Sequence, residues 1–536
     1  MDHLRSRFLT AALALLFLAA GIAQTRKFYP DDPIQAVPKQ ISVGELKAVK
    51  INALFDYFYQ TRRQNPRPAA RAEAINTLGE VPDSAWFTNR HGRIRMTREQ
   101  LKRGPGNENV PQPPFVITGA KTEGITPGFK MKDAKGRRYH VKPDPIDSPE
   151  LASGADVIGS KLFYAIGYNT PENYIVKIRR SEWSIAKDAK IQGIGGVERE
   201  LVAKDLYDIL AKVPLLPDGS FRVVASLNIE GTPLGPFRYE GTRSDDPNDT
   251  VPHERRRDLR GLFVFCAWFN HTDTKAANSH NSIIKEGDIS YVRHHLIDFG
   301  SALGSDGDAP KDARFGNDYQ IPTAGRALRS ALGLGLYSPR WERADYQKPK
   351  AIGRIESQVF DPDRWKPNYP NPAFLNRQPD DEYWAARIVM AFTDEDIRAL
   401  VETGEYSDPR VIDYLTKTLA QRRDTIGKTY FAKVLPLDSF AVRDGELRFE
   451  DLAVKYEFRK PVQLQLSWSR FDNENGSHVS LQTESSLRLP REFARSQDGS
   501  YFAARFHAEG NERMAATVYL RKRGDAAEVV GVERGW

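Results

Sequence analysis

The chain has 536 residues, 28% of them charged and 40% hydrophobic, which excludes large-scale disorder and is too long for one compact domain. A net charge of +7 is mild at this length; it suits an anionic ligand and by itself gives no ground for nucleic acid binding. The single cysteine, Cys266, excludes an intrachain disulfide and, inside the apolar run 262–269, reads as a buried structural thiol.

Residues 1–23 combine a short basic stretch (Arg5, Arg7), an apolar run over 8–22, and small residues Gly21 and Ala23 before Gln24. This pattern predicts a cleavable signal peptide and a secreted or periplasmic product of net charge +6 once Arg5, Arg7 and Asp2 are removed. An uncleaved anchor is the alternative, since the run is near the short limit for a membrane span. No later stretch approaches that length. Residues 24–114 read as a proline-punctuated N-terminal extension that packs on the main domain, with helical periodicity over 43–62 from Leu46, Val49, Ile51, Leu54, Phe55 and Phe58.

From Phe115 the pattern turns to strands: 115–118, 129–132 and 138–142, the last two joined by a turn at 133–136. A helix follows, with Ser148 as N-cap, Pro149 in the first position, and Leu151, Ala155, Ile158, Leu162 and Ala165 on one face up to Gly167. Strands are expected at 173–178 and 221–227, a helix at 255–269, and a hairpin from 281–284 and 292–297. The cluster Arg255-Arg256-Arg257 reads as a solvated helix face. Residues 301–380, rich in Gly, Pro and Asp, resist assignment; 382–392, 394–403 and 409–431 are helical. Beyond about Leu435 four strand-patterned segments predict a small all-β sandwich at 435–536.

The chemistry concentrates in Asp273-Thr274-Lys275-Ala276-Ala277-Asn278 and, twenty residues on, Asp298-Phe299-Gly300. Asp298 and Asn278 offer the oxygen ligands magnesium prefers, from either side of a hairpin that can bring its ends together. Asp273, just after a helix, can reach an incoming hydroxyl, and Lys275 can touch a transferred phosphate. One D-x-K-x-x-N match arises by chance about 0.1 times in such a chain, so its weight comes from the D-F-G that follows. The bland alternative is that Asp273 caps a turn, Asn278 starts a strand and Asp298 ends one.

Together these residues resemble the atypical branches of the protein-kinase-like superfamily, such as HipA-like, spore-coat and secretory-pathway kinases, over roughly residues 115–430. The resemblance implies an α+β, two-lobed fold, with a small lobe at about 115–230 and a large lobe at about 231–434. It implies Asp273 as catalytic base, Asn278 and Asp298 as metal ligands for Mg or Mn, and Lys142 as the lysine that holds the phosphates of ATP. Glu150 is the first choice to pair with Lys142 and Asp156 the second. Gly119 and Gly124 belong to a loose loop in place of a regular glycine-rich one, and 228–231 stands at the hinge. His271 stands where the family has its H-R pair, and no A-P-E follows Gly300, which puts a peptide acceptor in doubt. The expectation is an exported phosphotransferase using metal–ATP on a hydroxyl of a protein, glycan or lipid; nucleotidyl transfer also fits this fold. No nucleic acid partner and no membrane span after signal cleavage are expected. The alternative is a non-catalytic kinase-like envelope protein that binds a partner or glycan through its β domain, with Trp468 and Tyr501 as candidate stacking residues.

Overall fold

A computed structural model describes residues 26–536 apart from 36–38, 63–69, 122–127, 194–196, 322–338, 347–348 and 483–485. The predicted signal peptide and Gly124 lie outside the described residues. The protein is α+β, with eleven α-helices and several sheets among the described residues. Its chain forms two units: Gln35–Ile75 with Val81–Lys433, and Met1–Ile34 with Asn76–Glu80 and Val434–Trp536. The N-terminal extension is thus divided between them and does not pack as one piece on the main domain.

In the larger unit, helix α1 (Ala53–Thr61) is capped by Asn52, whose side chain accepts from the Phe55 N–H at 3.0 Å. The predicted 43–62 helix is only this half. Residues 43–52 have no regular secondary structure, and Val43 and Val49 donate to Ser290 and Leu234 backbone oxygens. Leu54, Phe55 and Phe58 point to solvent, at 66%, 73% and 50% exposure, so their spacing marks no core face. A short helix α2 (Arg98–Arg103) follows, closed by a Thr97–Gln100 capping box.

Seven strands then make one sheet: β1 (Phe115–Lys121), β2 (Gly128–Lys132), β3 (Arg138–Pro143), β4 (Asn173–Arg179), β5 (Trp183–Gln192), β6 (Glu198–Glu200) and β7 (Ser220–Leu227), in the order β4-β7-β3-β2-β1-β5-β6. All pairs are antiparallel except β1–β5. Phe115, Ile117, Phe129, Tyr139, Val141 and Val223 bury one face, as period-two alternation requires. Helix α3 (Leu151–Ile166) lies after β3, and α4 (Ala203–Leu210) before β7. Strands β5 and β6 and helix α4 went unforeseen, since β5 is largely half-exposed and lacks a clean alternation.

Residues 228–231 lead from β7 into β8 (Thr232–Gly235), the edge of a three-stranded sheet with β9 (Ser279–Glu286) and β10 (Ile289–Leu296). Helix α5 (Arg257–Phe269) is buried along its whole length. Around it stand α6 (Pro372–Leu375), α7 (Pro379–Met390) and α9 (Pro409–Phe431), and α8 (Asp394–Glu402) packs on α9 and α2. The Trp268 indole donates to Leu419 O at 2.8 Å. The Arg255–Arg257 cluster is not a solvated face. Arg255 pairs with Glu73, but Arg256 and Arg257 are buried, the first on Asp258 and the second on Asp380 and Asp381. Asp380 and Asp381 lie more than 120 residues from Arg257, so the sequence offers no local sign of that pairing.

In the smaller unit β11 (Leu437–Arg443) and β12 (Glu446–Asp451) form a hairpin, followed by α10 (Leu452–Lys455). A five-stranded antiparallel sheet runs β14-β13-β15-β16-β17, from β13 (Leu464–Phe471), β14 (His478–Ser480), β15 (Tyr501–Ala508), β16 (Asn511–Arg523) and β17 (Ala526–Arg534), with α11 (Arg491–Arg495) inserted. Hairpin and sheet share a core containing Leu437, Leu447, Trp468, Phe502, Phe506 and Leu520. Trp468 is therefore buried, its indole donating to Ser486 O at 2.9 Å, and is no stacking platform for a glycan. The Tyr501 ring stacks on Phe28 at 5.7 Å.

Candidate active site

Alternation along β3 sends Tyr139 and Val141 into the sheet core and Lys142 to the opposite side. Its ammonium donates to Asp298 Oδ1 at 2.6 Å and lies 3.9 Å from Asp156 Oδ2. Asp156 reaches this point because α3 is fixed at its start. The helix begins at Leu151, with Glu150 left-handed (φ 67°) before it, so Ser148 is not its cap. Instead Asp144 takes the Ser153 N–H at 2.9 Å and the Ser153 hydroxyl at 2.5 Å. Arg222 of β7 donates to the same hydroxyl and to the carbonyls of Gly404 and Glu405.

Glu150, the first choice for the lysine's partner, does not meet it. Its carboxylate accepts from the Ser407 N–H at 3.0 Å and the Ser407 hydroxyl at 3.1 Å. Asp156, one and a half turns deeper, is the acid beside Lys142, and it also accepts from Asn173 Nδ2 at 2.9 Å and from the Phe299 N–H at 3.1 Å. Gly119 belongs to β1 and not to a loop: the pairing with β2 shifts register between Ile117 and Gly119, and this bulge lets the strand run on to Lys121.

Helix α5 stops at Asn270, which takes the left-handed conformation (φ 50°) common at helix ends. His271 N–H closes on Cys266 O at 2.8 Å, and the chain turns out to Asp273. A 3-10 turn over Ala276–Asn278 then folds Asn278 back, so that its Nδ2 donates to Asp273 O at 2.8 Å and to Asp273 Oδ2 at 3.0 Å. Lys275 Nζ meets the same Oδ2 at 2.8 Å. The β9–β10 hairpin returns the chain to this point: Ile297 N–H donates to Asn278 O at 3.0 Å, immediately before Asp298, which is itself left-handed (φ 65°). Phe299 is fully buried, 5.0 Å from the Phe163 ring and 5.5 Å from His271. A side chain on Gly159 would place its Cβ 2.5 Å from Phe299 Cβ, so only glycine lets this ring close on α3.

Two neighbours carry no motif. Lys311 is buried, with its ammonium on Thr272 Oγ1 at 2.7 Å and Ser301 O at 2.9 Å. Asn368 donates through its backbone to Thr272 O at 2.8 Å and through Nδ2 to Asp273 Oδ1 at 3.3 Å. Both stand in the 301–380 stretch, where nothing local sets them apart. Beside Lys275 lies a small recess of about 10 Å³, room for about one water, lined by Asp56, Gln60, Arg238, Tyr369 and Asn371. The buried Thr274 hydroxyl lines it without a hydrogen-bond partner among the described residues.

The charges are strongly coupled. Burial opposes a charge on Lys142, yet Asp298 and Asp156 outweigh it and raise its pKa. Lys142 pulls Asp298 down to about 2, whereas burial, reinforced by Asp298, pushes Asp156 up to about 6. Burial pushes Asp273 upward, but Lys275 and Lys311 overcome it and hold this carboxyl below its ordinary value. Asp298 and Asn278 are hard oxygen donors suited to Mg or Mn. No group of three or more His, Cys, Asp or Glu able to hold a metal exists among the described residues. Such a sparse set fits a cation shared with substrate phosphates better than a protein-caged one.

Acid should loosen this unit. Burial lowers His271 to about 4, His295 to about 3, and His294 well below its usual value. The unfolded chain protonates these rings near pH 6.5 while the fold keeps them neutral, so their stabilisation is present above that pH and is lost as pH falls toward 4. His271 and His295 each contribute on the order of 1–3 kcal/mol, and burial lowers His91, His140 and His280 as well, whereas the raised carboxyls of Asp144, Asp156, Asp246, Asp306 and Asp381 work the other way. The melting temperature is expected to fall steadily from pH 7 to 4.5, and a flat profile would contradict the neutral-histidine account.

No family model matches the chain, and no curated protein sequence matches it. Among solved structures, a Helicobacter pylori proinflammatory kinase, CtkA, is similar at 11% identity and a TM-score of 0.29, covering 57% of this chain and 94% of that one. The Golgi casein kinase is similar at 10% identity and a TM-score of 0.30, and its Mn/ADP-bound structure at 11% and 0.29; each match covers 76% of this chain and 94% of the other.

Proposed function

We propose that this protein is an exported, kinase-like phosphotransferase of two lobes, with a C-terminal β-sandwich, that uses Mg– or Mn–ATP to modify a hydroxyl of a protein, glycan or lipid. The observation that carries this reading is the convergence of Lys142, Asp156 and Asp298, brought together from three separate segments, next to the Asp273–Lys275–Asn278 loop. Structural ion-pair networks also perturb pKa values, but this one joins two lysines, an amide ligand and three carboxylates with divided roles.

In this reading Lys142 holds the nucleotide phosphates, and Asp298 and Asn278 would hold the cation, which would neutralise phosphate charge. The acceptor presents its hydroxyl to Asp273. Its hydroxyl oxygen bonds to the γ-phosphorus as the bond to the β–γ bridging oxygen breaks, and ADP leaves. Asp273, ionised at neutral pH, accepts the hydroxyl proton, and Lys275 offsets the charge on the transferred group. Asp156 anchors Lys142 from α3 and orients Phe299 through its backbone N–H.

The mature protein is expected to gain several degrees of melting temperature with millimolar ATP and Mg or Mn, and to lose that gain with a chelator. No shift with either metal would remove the basis for the proposal.

A further inference from the structure

Lys311 lies thirteen residues past Asp298, in a stretch without regular structure, yet it is only 2% exposed. Its backbone N–H bonds Gly304 O at 2.8 Å, fixing where the side chain starts. The ammonium then ends on two neutral oxygens: the hydroxyl of Thr272, the residue before Asp273, and the carbonyl of Ser301, just after Asp298-Phe299-Gly300. Thr272 is fully buried, and its own carbonyl is taken by the Asn368 N–H. Burying an ammonium on neutral hydrogen-bond partners is costly, and Asp273, Asp306 and Asp298 offset this only in part, since burial still lowers the Lys311 pKa. Its position is therefore not explained by stability. What distinguishes it is the pair of segments it joins, and its charge also acts on Asp273, Asp306 and Asp298.

We propose that Lys311 is a positioning residue: a buried ammonium that ties the Asp273 loop to the segment after Asp298 and so holds the proton acceptor and the metal ligand in one geometry. The role rests on the phosphotransfer reading above. Lys311 touches neither nucleotide nor acceptor in it and acts through Thr272. A displacement of about 1 Å in such a loop can cost about 10²-fold in rate.

The test combines Lys311→Met, Lys311→Arg and Thr272→Val, with ADP formation, Mg–ATP calorimetry and backbone hydrogen exchange as readouts. Lys311→Met should lower kcat about 10²-fold while the Kd for Mg–ATP stays within about threefold, and Lys311→Arg should recover about tenfold of the loss. Thr272→Val should lower kcat about tenfold, and the double variant should be no slower than Lys311→Met alone, because the contact is already broken. Additive losses, or a Lys311→Met kcat within about twofold of wild type, would overturn the role. If wild-type protein binds no Mg–ATP, it is the phosphotransfer reading that fails. The tie is then judged by exchange alone: residues 272–278 must exchange faster in Lys311→Met and in Thr272→Val, and unchanged exchange in both would refute it.

Discussion

Replacing Lys142 with methionine is expected to lower phosphoryl transfer by about 10³-fold or more. Lys142 is the shared cation of two carboxylates, 2.6 Å from Asp298 and 3.9 Å from Asp156. Without it, Asp156, already raised to about 6 by burial, loses the charge that keeps it ionised and takes up a proton near neutral pH. The phosphates then lose a positive charge, and Asp298 loses the partner that holds it at about 2. Lysine is a compact point charge and arginine a planar fork, so Lys142→Arg should restore little. ADP formation at saturating ATP is the measurement, and a variant within about tenfold of wild type would contradict the role given to this lysine.

Asp273→Asn should lower kcat by about 10²–10⁴-fold and leave the Kd for Mg–ATP within a few-fold. Its carboxylate is met by Lys275, Asn278 and Asn368, three donors, none of which needs the nucleotide in place. The asparagine keeps the shape, removes the proton acceptor, and must turn an NH2 group toward one of those donors. This variant also separates the two functional readings. A non-catalytic partner-binding module is indifferent to Asp273→Asn and loses its function when 435–536 is deleted. A phosphotransferase shows the reverse order of sensitivity.

The parts of the site visible in the sequence are the local ones. Asp273, Lys275 and Asn278 sit within six residues, and a 3-10 turn is enough to fold them onto one another. Asp298 is recoverable because a hairpin with a clear turn precedes it and its base pairs Ile297 with Asn278. Lys142 follows from the resemblance, which picks the lysine at the end of the third strand; alternation alone leaves Arg138 and His140 on the same face. The choice between Glu150 and Asp156 was not visible, because it turns on where α3 starts. Asp144, outside the helix, supplies the missing cap, and left-handed Glu150 turns away toward Ser407. Lys311 and Asn368 belong to the site only through contacts across 39 and 95 residues, in a stretch whose pattern marks nothing.

The same distinction accounts for the fold. The helix expected over 409–431 is α9 to the residue, with Asp408 as its cap and Pro409 in its first turn. The 43–62 periodicity misled because part of it is a segment without regular secondary structure, hydrogen-bonded beside β8 and β10, where spacing has no helical meaning. Arg256 and Arg257 read as solvated because charge runs usually are; their partners, apart from Asp258, lie on α7.

The most direct measurement is a melting-temperature titration of the wild-type protein and Asp298→Asn with Mg–ATP and Mn–ATP. The account predicts a saturable rise for wild type that needs the metal and is lost in Asp298→Asn. A wild type unmoved by either metal–nucleotide, or an Asp298→Asn variant stabilised as fully as wild type, would contradict the central claim that Lys142 and Asp298 form a metal–nucleotide site.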